Sequence, residues 1–321
     1  MSPRESSLFR RAPSTVRIVE VGPRDGLQNE AALVPTAEKI AFVDALSEAG
    51  HTHIEVTSFV SPRRVPQLAD AGEVFRGIRK RPGTTYTALV PNEEGLQRSL
   101  AAGAGSIAVF TAASETFNRK NIGCSIDESI QRIAAVLRAA PEGLRVRGYV
   151  STAFVCPYEG TIDSPRALDV ILRLRSLGIE EISIGDTLGA AWPDQVSRLL
   201  EAVDGSIGLR GIALHLHDTR RRALLNALVG LLHGVEEFDS SAGGLGGCPF
   251  APGAKGNVAT EELVALFHGM GISTGIDIEK ARAASERIRQ VLGALGTQGL
   301  KNTPTRGSPS AHEGGSPPGG R

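Results

Sequence analysis

The stretch SEAGHTHIEVT, residues 47–57, decides the fold because it carries the end of a helix across one glycine into a buried strand. Gly50 closes the helical pattern, since a glycine just past a helix end adopts the left-handed conformation without a Cβ penalty. A β-rich run begins three residues later. The same phrase recurs along the chain as LAAGAGSIAVF (100–110), RSLGIEEISIG (175–185) and LLHGVEEFDSS (231–241).

Four more β-rich runs raise the number of strand candidates to eight: VRIVEV (16–21), TYTAL (85–89), RVRGYV (145–150) and GIALHL (211–216). A helical pattern follows each candidate, over residues 36–49, 69–79, 92–102, 126–140, 165–177, 193–203, 222–233 and 260–270. Strands that alternate with helices pair in parallel. Eight such units in about 250 residues predict an α/β fold, a (β/α)8 TIM barrel.

An open doubly wound sheet is the competing fold, and it requires a glycine fingerprint after the first strand. Here the first strand leads into GPRDG (22–26), whose Arg-Asp pair is the wrong chemistry for a pyrophosphate cradle. The barrel is therefore favoured. Residues 278–295 predict one extra C-terminal helix that packs on the barrel or covers its mouth.

The predicted domain organisation is one barrel domain over residues 15–298, flanked by two ends without regular structure. Residues 1–14 predict a flexible N-terminus, and residues 299–321 predict a disordered tail. Between Thr303 and Arg321, twelve of nineteen residues are Gly, Pro or Ser. Such a composition cannot bury enough apolar surface to order itself.

The 35 basic and 35 acidic side chains of this 321-residue chain balance, which gives no support to binding of nucleic acid or of a membrane surface. No run approaches the roughly 20 apolar residues of a membrane helix. The three cysteines form no CxxC pair, which favours a reducing compartment over a disulfide framework. We expect a cytoplasmic protein, although the N-terminal MSPRESSLFRRAPS leaves a short organelle-targeting segment open.

Polar residues gather at the predicted C-terminal ends of strands, where the catalytic groups of TIM barrels lie. His215 and His217 are two apart on a strand and so point to the same face. With one distant carboxylate and one distant amide oxygen they could hold a divalent ion; the alternative is a pair of structural histidines. The other strand-end candidates are Arg24, Asp25, Glu55, Arg147, Tyr149, Asp186, Ser240 and Ser241, followed by a glycine-rich loop with Cys248 and Asn257.

Seven stretches resemble the 3-hydroxy-3-methylglutaryl-CoA lyase family, within the DRE-TIM metallolyases, and the resemblance as a whole runs from about Val16 to about Leu295. They are VEVGPRDGLQNE, IEVTSFVSPRRVPQ, ASETFNRKNIGCSIDES, VRGYVSTAFVCPYEG, EISIGDTLG, HLHDT and GGLGGCPFAPGAKGNVATEELV. The resemblance implies an Mg²⁺- or Mn²⁺-binding TIM barrel. It also implies an acyl-CoA substrate and a place in leucine degradation and ketone-body formation. A homodimer is compatible with it by analogy.

The resemblance also implies roles for individual residues. The metal ligands would be Asp25, His215, His217 and Asn257, and Cys248 would be the catalytic cysteine. Arg24 would stabilise the enolate oxygen of the departing acetyl-CoA, and Cys248 would protonate its carbon. The base that accepts the alcohol proton stays open between Asp25 and the two histidines. Further catalytic positions are matched by Glu55 and Asp186, and substrate-binding positions are matched by Arg24, Arg147 and Tyr149.

One segment departs from the family pattern: HLHDT is followed by Arg220, Arg221 and Arg222, where YGQ is usual. These arginines form either a solvated helix start, unfavourable against the helix dipole, or a contact to substrate or CoA phosphates. The departure leaves the acyl substrate open. We therefore expect an oxo-acid lyase that gives acetyl-CoA and acetoacetate. The alternatives are a lyase for a related 3-hydroxy-dicarboxyl-CoA, a Claisen-type acyltransferase of the same metallo-barrel group and a non-catalytic binding barrel.

Overall fold

The computed structural model of the chain describes residues 10–247 and 256–301, with side chains as far as residue 295. Its strands are β1 (Arg17–Glu20), β2 (His53–Ser58), β3 (Thr85–Leu89), β4 (Ser106–Ala112), β5 (Arg145–Ser151), β6 (Val155–Cys156), β7 (Gly160–Thr161), β8 (Glu181–Asp186), β9 (Ile212–Leu216) and β10 (Glu237–Ser240). Eight of them are parallel and close into a barrel in the order β1-β10-β9-β8-β5-β4-β3-β2. The predicted TIM barrel is confirmed.

The helices are α1 (Thr36–Glu48), α2 (Ala71–Gly77), α3 (Glu93–Ala101), α4 (Glu115–Ile122), α5 (Ile126–Ala139), α6 (Ser164–Ser176), α7 (Pro193–Ile207), α8 (Ala223–His233), α9 (Thr260–Gly269) and α10 (Ile278–Lys301). The glycines of the repeated phrase, Gly50, Gly103, Gly178 and Gly234, all have positive φ, from 85° to 99°. The left-handed helix ends predicted for them are present. None of the helices in the described ranges has the length and apolar character needed to cross a membrane.

Three local features escaped the sequence analysis. Helix α4 begins at the cap Ser114, whose hydroxyl accepts from the Phe117 amide at 3.1 Å, but its eight residues are too few for a clear periodicity. Strands β6 and β7 form a small antiparallel hairpin after β5. The GPRDG segment forms a single π-helical turn, Gly22–Gly26, directly after β1.

The predicted ends of the domain remain predictions. Residues 10–14 lie against the barrel: Arg11 pairs with Asp204 at 2.8 Å, and the Ser14 carbonyl accepts from the Ser273 amide at 3.0 Å. Residues 1–9 and 302–321, on which most of the two predicted flexible ends fall, lie outside the described residues.

Successive side chains along each strand point alternately to the surrounding helices and to the barrel interior, and these two environments differ. Side chains that face the helices, such as Ile54, Ile107 and Ile182, are fully buried in the apolar layer between sheet and helices. The barrel interior is polar instead, with only a small apolar cluster that includes Leu89 and Tyr149. The fold therefore rests on the outer layer, which leaves the interior free to carry charged groups.

Charged side chains close the N-terminal end of the barrel. Arg17, at the start of β1, pairs with Glu181 of β8 at 3.0 Å and with Glu237 of β10. His53 of β2 lies 3.3 Å from the same guanidinium, and burial together with nearby arginines lowers its pKa to about 3, so it stays neutral. This end of a TIM barrel serves stability rather than catalysis.

The arginine segment precedes α8 instead of forming its first turn. Arg222 is the N-cap residue, and Arg221 has a φ of 54°, in the left-handed region that costs about 1–2 kcal/mol for a residue with a Cβ atom. The Arg221 side chain is exposed, so its removal should relieve the backbone strain without disturbing the packing of the core.

We expect Arg221→Gly to stabilise the protein by up to about 1 kcal/mol, because relief of the left-handed strain outweighs the extra entropy of glycine in the unfolded chain. Thermal denaturation of the variant and the wild type measures the difference. Arg220→Gly is the matched control and should give no gain, since only Arg221 has a positive φ here. Equal behaviour of the two variants would contradict the assignment of strain.

Candidate active site and metal centre

Three predicted ligands meet at the C-terminal end of the barrel. The Nε2 atoms of His215 and His217 are 3.2 Å apart, and each lies 3.9 Å from Oδ2 of Asp25. His215 lies in β9, His217 follows its end, and Asp25 comes from the π turn after β1. This group of side chains could hold a metal ion.

Asn257, the fourth predicted ligand, completes the group from a distant segment. It forms an isolated antiparallel bridge with His217, and its Nδ2 donates to Asp25 Oδ2 at 2.8 Å and to the Leu245 carbonyl at 3.1 Å. Its Oδ1 is buried without a hydrogen-bond partner among the described residues. An orphaned acceptor is costly unless something fills it, so this oxygen fits a metal ligand.

The chemistry of the four ligand atoms indicates which metal ion the site could bind. Two imidazole nitrogens, one carboxylate oxygen and one amide oxygen suit a hard or borderline divalent ion. The cysteines in the described ranges, Cys124 and Cys156, are buried elsewhere, and Cys156 Sγ lies 2.9 Å from the Ser114 hydroxyl. Both are small side chains packed away from the site. A divalent metal therefore fits the residues present.

Arg24 forms an ion-pair chain across the site. Its guanidinium contacts Asp25 Oδ1 at 2.5 Å and Glu55 Oε2 at 2.9 Å, and that Glu55 oxygen also accepts from the Tyr149 hydroxyl at 2.9 Å. Burial by itself would raise the pKa of Asp25, but Arg24 and the two histidines hold it well below its usual range. Asp25 is therefore an anion at every physiological pH.

The two histidines differ in their electrostatic surroundings. Burial would lower the pKa of His215, but Asp239 and Asp25 raise it above its ordinary value. For His217, burial and the neighbouring His215 lower the pKa to about 4, so its ring is neutral. A neutral imidazole is the form that binds a metal ion.

Asp239 is the functional residue that the sequence analysis missed. It lies inside the barrel on β10, 1% exposed, and its Oδ2 is 3.1 Å from Nδ1 of His215. Arg147 at 2.7 Å and the Ser183 hydroxyl at 2.8 Å hold the same carboxylate. If His215 donates Nδ1–H to Asp239, its Nε2 is left free to face the metal centre. The strand period could have indicated this position: in EFDSS, Phe238 faces the helices, so the next residue, Asp239, faces the barrel interior.

We expect Asp239→Asn to weaken divalent-metal binding by about 10–100-fold, because the amide no longer fixes the tautomer and orientation of His215. Calorimetric titration of the metal-free protein with Mn²⁺ measures this effect without reference to turnover. Ser183→Ala is the milder control, since it removes only one bond to Asp239. Unchanged affinity in Asp239→Asn would show that His215 does not depend on this carboxylate.

Two other predicted site residues occupy supporting positions. Arg147, predicted to bind substrate, is 4% exposed and is held by Asp239 beneath the histidines. Asp186 accepts from the amides of Ala190 at 3.1 Å and Ala191 at 3.0 Å, and burial raises its pKa to about 6. Neither side chain is part of the cavity wall in the described part of the chain. Arg24 and Tyr149 do line the cavity, while Glu55 acts through them.

Glu20 is a second buried carboxylate that the sequence analysis passed over. It lies on the outer side of β1, with Oε1 accepting from the amides of Gly22 at 2.8 Å and Ala242 at 2.9 Å. Its Oε2 accepts from the Thr260 hydroxyl at 2.7 Å. Glu20 thus ties the turn that carries Asp25 to both segments that flank residues 248–255.

Burial raises the pKa of Glu20 to about 7. A carboxyl with a raised pKa binds more protons when folded than when unfolded, so between about pH 4.5 and 7 its contribution to stability falls as pH rises. We expect Glu20→Gln, which is neutral throughout, to gain melting temperature relative to the wild type between pH 5 and pH 8. Glu262→Gln is the control, since that side chain is exposed on α9. A pH-independent difference would contradict the raised pKa.

The candidate metal centre lies at the inner end of a cavity of ≈ 720 Å³. Its inner wall includes Arg24, Asp25, Tyr149 and the two histidines, and it extends past Leu89 and Phe110 toward α4 and α5. The exposed cations Arg64 and Arg132 border its outer part. The cavity is therefore charged at its inner end, apolar along one wall and basic at its rim.

Two sequence expectations bear on the rim of this cavity. Cys248 lies outside the described residues, so its role as a proton donor stays a prediction. Arg222 donates to the carbonyls of Ala190 at 2.8 Å and Ala191 at 3.1 Å, and it stacks 3.9 Å from the centre of the Trp192 ring. These contacts hold two loops together, and none of the three arginines belongs to the cavity wall as described. Arg222 therefore follows neither alternative for this segment, because it binds protein carbonyls and an aromatic ring instead of solvent or the cavity. The roles of Arg220 and Arg221 stay a prediction.

Comparisons with known proteins agree with this geometry. The family model described as HMGL-like matches residues 15–288. The mitochondrial hydroxymethylglutaryl-CoA lyase of Bos taurus is 52% identical over 281 residues, 87% of this chain and 86% of that protein. The cytoplasmic 3-hydroxy-3-methylglutaryl-CoA lyase of Rattus norvegicus is 51% identical over 285 residues, 88% of this chain and 83% of that protein.

A solved relative adds a ligand-bound comparison. The structure of an HMG-CoA lyase from Acinetobacter baumannii in complex with coenzyme A and 3-methylmalate superposes with a TM-score of 0.84. It is 36% identical and covers 93% of this chain and 98% of that one.

Proposed function

This chain belongs to the HMGL-like family, and from that premise we propose that it is a divalent-metal-dependent lyase that cleaves 3-hydroxy-3-methylglutaryl-CoA into acetyl-CoA and acetoacetate. The observation that carries the proposal is the meeting of Asp25, His215 and His217 at the inner end of one cavity. The resemblance found in the sequence is confirmed by relatives about half identical over most of their length.

The cavity supports an acyl-CoA substrate. Its inner end offers cationic and metal-binding groups that suit the hydroxy-acid part of the substrate. The exposed Arg64 and Arg132 at its rim suit phosphate groups, because guanidinium groups bind phosphate oxygens through charge-assisted hydrogen bonds. The related lyase solved with coenzyme A and 3-methylmalate bound both kinds of ligand.

We propose Mg²⁺ or Mn²⁺ as the metal, held by Asp25, His215, His217 and Oδ1 of Asn257. The set of oxygen and imidazole ligands favours these ions over a structural zinc. When bound, such an ion acidifies and orients the substrate alcohol.

The protein side chains would carry the rest of the chemistry. The bond between the alcohol carbon and the methylene next to the thioester breaks as the alcohol loses its proton. The bonding electrons pass to the thioester as an enolate. Arg24, fixed by Glu55, would stabilise the enolate oxygen, and its Nε has no hydrogen-bond partner among the described residues. Asp25 or a histidine would accept the alcohol proton, and Cys248 would donate one to the enolate carbon.

We also propose a cytoplasmic location and a homodimer. The named relatives include both cytoplasmic and mitochondrial proteins, so an organelle remains the alternative location. The competing activity is a Claisen-type condensation of acetyl-CoA with a 2-keto acid in the same kind of site.

We expect chelator-treated protein to lose cleavage of 3-hydroxy-3-methylglutaryl-CoA and to regain it with Mg²⁺ or Mn²⁺. His217→Ala should lower metal affinity and turnover together, because the Nε2 ligand is gone. The measurements are acetoacetate release over a panel of 3-hydroxyacyl-CoA thioesters and metal titration by calorimetry. His268→Ala, an exposed histidine on α9, is the matched control.

Each outcome separates the alternatives. Turnover that survives chelation would refute the metal-dependent mechanism. Activity only with acetyl-CoA plus a 2-keto acid would favour the acyltransferase, and metal binding without any turnover would favour a binding barrel. Faster cleavage of another 3-hydroxy-dicarboxyl thioester would keep the reaction and change the substrate.

A further inference from the structure

The cavity extends beyond the barrel interior. Past the ends of β4 and β5 it continues into the layer between the sheet and α5. Val109 and Val150 line it there, and both point toward the helices, because their strand neighbours Phe110 and Tyr149 point into the barrel. One branch of the cavity therefore lies outside the space that holds the candidate metal centre.

Helix α5 forms the outer wall of this branch. Four lining residues are spaced at i, i+3, i+4 and i+7, which places them on one face of the helix: Ser129, Arg132, Ile133 and Val136. With a rise of about 1.5 Å per residue, the seven steps from the first to the last extend about 10 Å along the helix. Val136, at the far end, is 1% exposed, so the branch is closed there.

The inner surface of the branch is apolar. We call it the α5 branch; it is formed by Val109, Phe117, Ile133, Val136 and Val150, all of them buried. The Ser129 hydroxyl is already engaged, because it donates to the Ile126 carbonyl at 2.6 Å and lies 2.6 Å from the Thr111 hydroxyl. A space lined in this way offers water few partners, whereas a hydrocarbon chain suits it.

Two cations stand at the open end of the α5 branch. Arg132 and Arg64 are both exposed and line the rim of the cavity, and Arg132 Nη1 donates to the Ile122 carbonyl at 3.4 Å. Within the described ranges neither guanidinium forms a salt bridge. Such groups bind anions through charge-assisted hydrogen bonds. The branch thus combines a cationic opening with an apolar interior.

We propose that the α5 branch binds a ligand with an anionic head and an unbranched aliphatic chain. The head would lie on Arg64 and Arg132, and the chain would run along α5 toward Val136. A chain of about eight carbon atoms, with zigzag C–C bonds of about 1.5 Å, matches a depth of about 10 Å. The site shares only the two rim arginines with the proposed substrate route, and no metal ligand takes part, so the inference does not depend on the lyase reaction.

Calorimetric titration of the metal-free, full-length protein with straight-chain carboxylates tests the depth of the branch. The metal is removed so that the carboxylate cannot bind to it. We expect affinity to rise about fourfold for each methylene added between hexanoate and octanoate, the gain from removing one methylene from water. Decanoate should bring no further gain, because Val136 closes the branch.

Two variants test the two ends of the site. Val136→Phe should shorten the branch, so that octanoate binds about tenfold more weakly while hexanoate binds as it does to the wild type. Retained binding of hexanoate shows that this variant is folded. Arg132→Ala should weaken octanoate binding by about tenfold, because the head loses one of its cations. Arg138→Ala is the matched control, since Arg138 is exposed on α5 outside the cavity wall, and it should leave the affinity unchanged.

The same chain could belong to a free acid or to a thioester, and octanoyl-CoA beside CoA alone separates these sources. A gain of octanoyl-CoA over CoA that disappears in Val136→Phe identifies a thioester as the ligand. A chain-dependent gain confined to the carboxylates identifies a free acid. Affinity that is independent of chain length in both series overturns the proposal. So does octanoate binding that neither Val136→Phe nor Arg132→Ala weakens.

Discussion

The parallel pairing of β1 with β10, which closes the barrel, is the constraint on which the rest of the structure depends. Its register sets Val19 beside Asp239 and Glu20 beside Ser240. The turn after β1 and the segment that leads into α9 therefore become neighbours, and Asn257 reaches Asp25 across 232 positions of sequence. No local interaction could hold these two residues together, so the candidate metal centre is assembled only when the barrel is closed.

Charge burial inside the barrel follows one rule: each ionised group has an opposite partner within hydrogen-bond reach. Arg24 lies between Asp25 and Glu55, and Arg147 lies against Asp239. Buried pairs of this kind add little net stability, because desolvation offsets the attraction, but removal of one partner is costly. Their main effect is geometric, since each side chain is confined to one arrangement.

The fold could be predicted from the sequence because the helix–glycine–strand pattern repeats along the chain. Such a pattern depends on neighbouring residues alone, so it can be recognised without knowing which strands pair. The sequence also predicted that His215 and His217 share a face, which follows from strand periodicity alone. It could not reveal that Arg147 lies beneath His215, because the depth of a side chain in the barrel depends on the stagger of neighbouring strands. Asp239 was missed because its partners come from β5, β8 and β9. Glu20 was missed because two segments that are distant in sequence, at Ala242 and Thr260, meet around it.

The charged cluster of Arg17, Glu181 and Glu237 limits the path by which substrate and products can enter and leave the barrel. It fills the N-terminal end, so the candidate metal centre is open to solvent at the opposite, C-terminal end of the barrel. In the proposed reaction the small keto acid forms at the inner end, while the thioester product occupies the passage toward the rim. The larger product then stands in the exit path of the smaller one. In the proposed reaction the product nearer the rim would leave first, so acetyl-CoA would be released before acetoacetate.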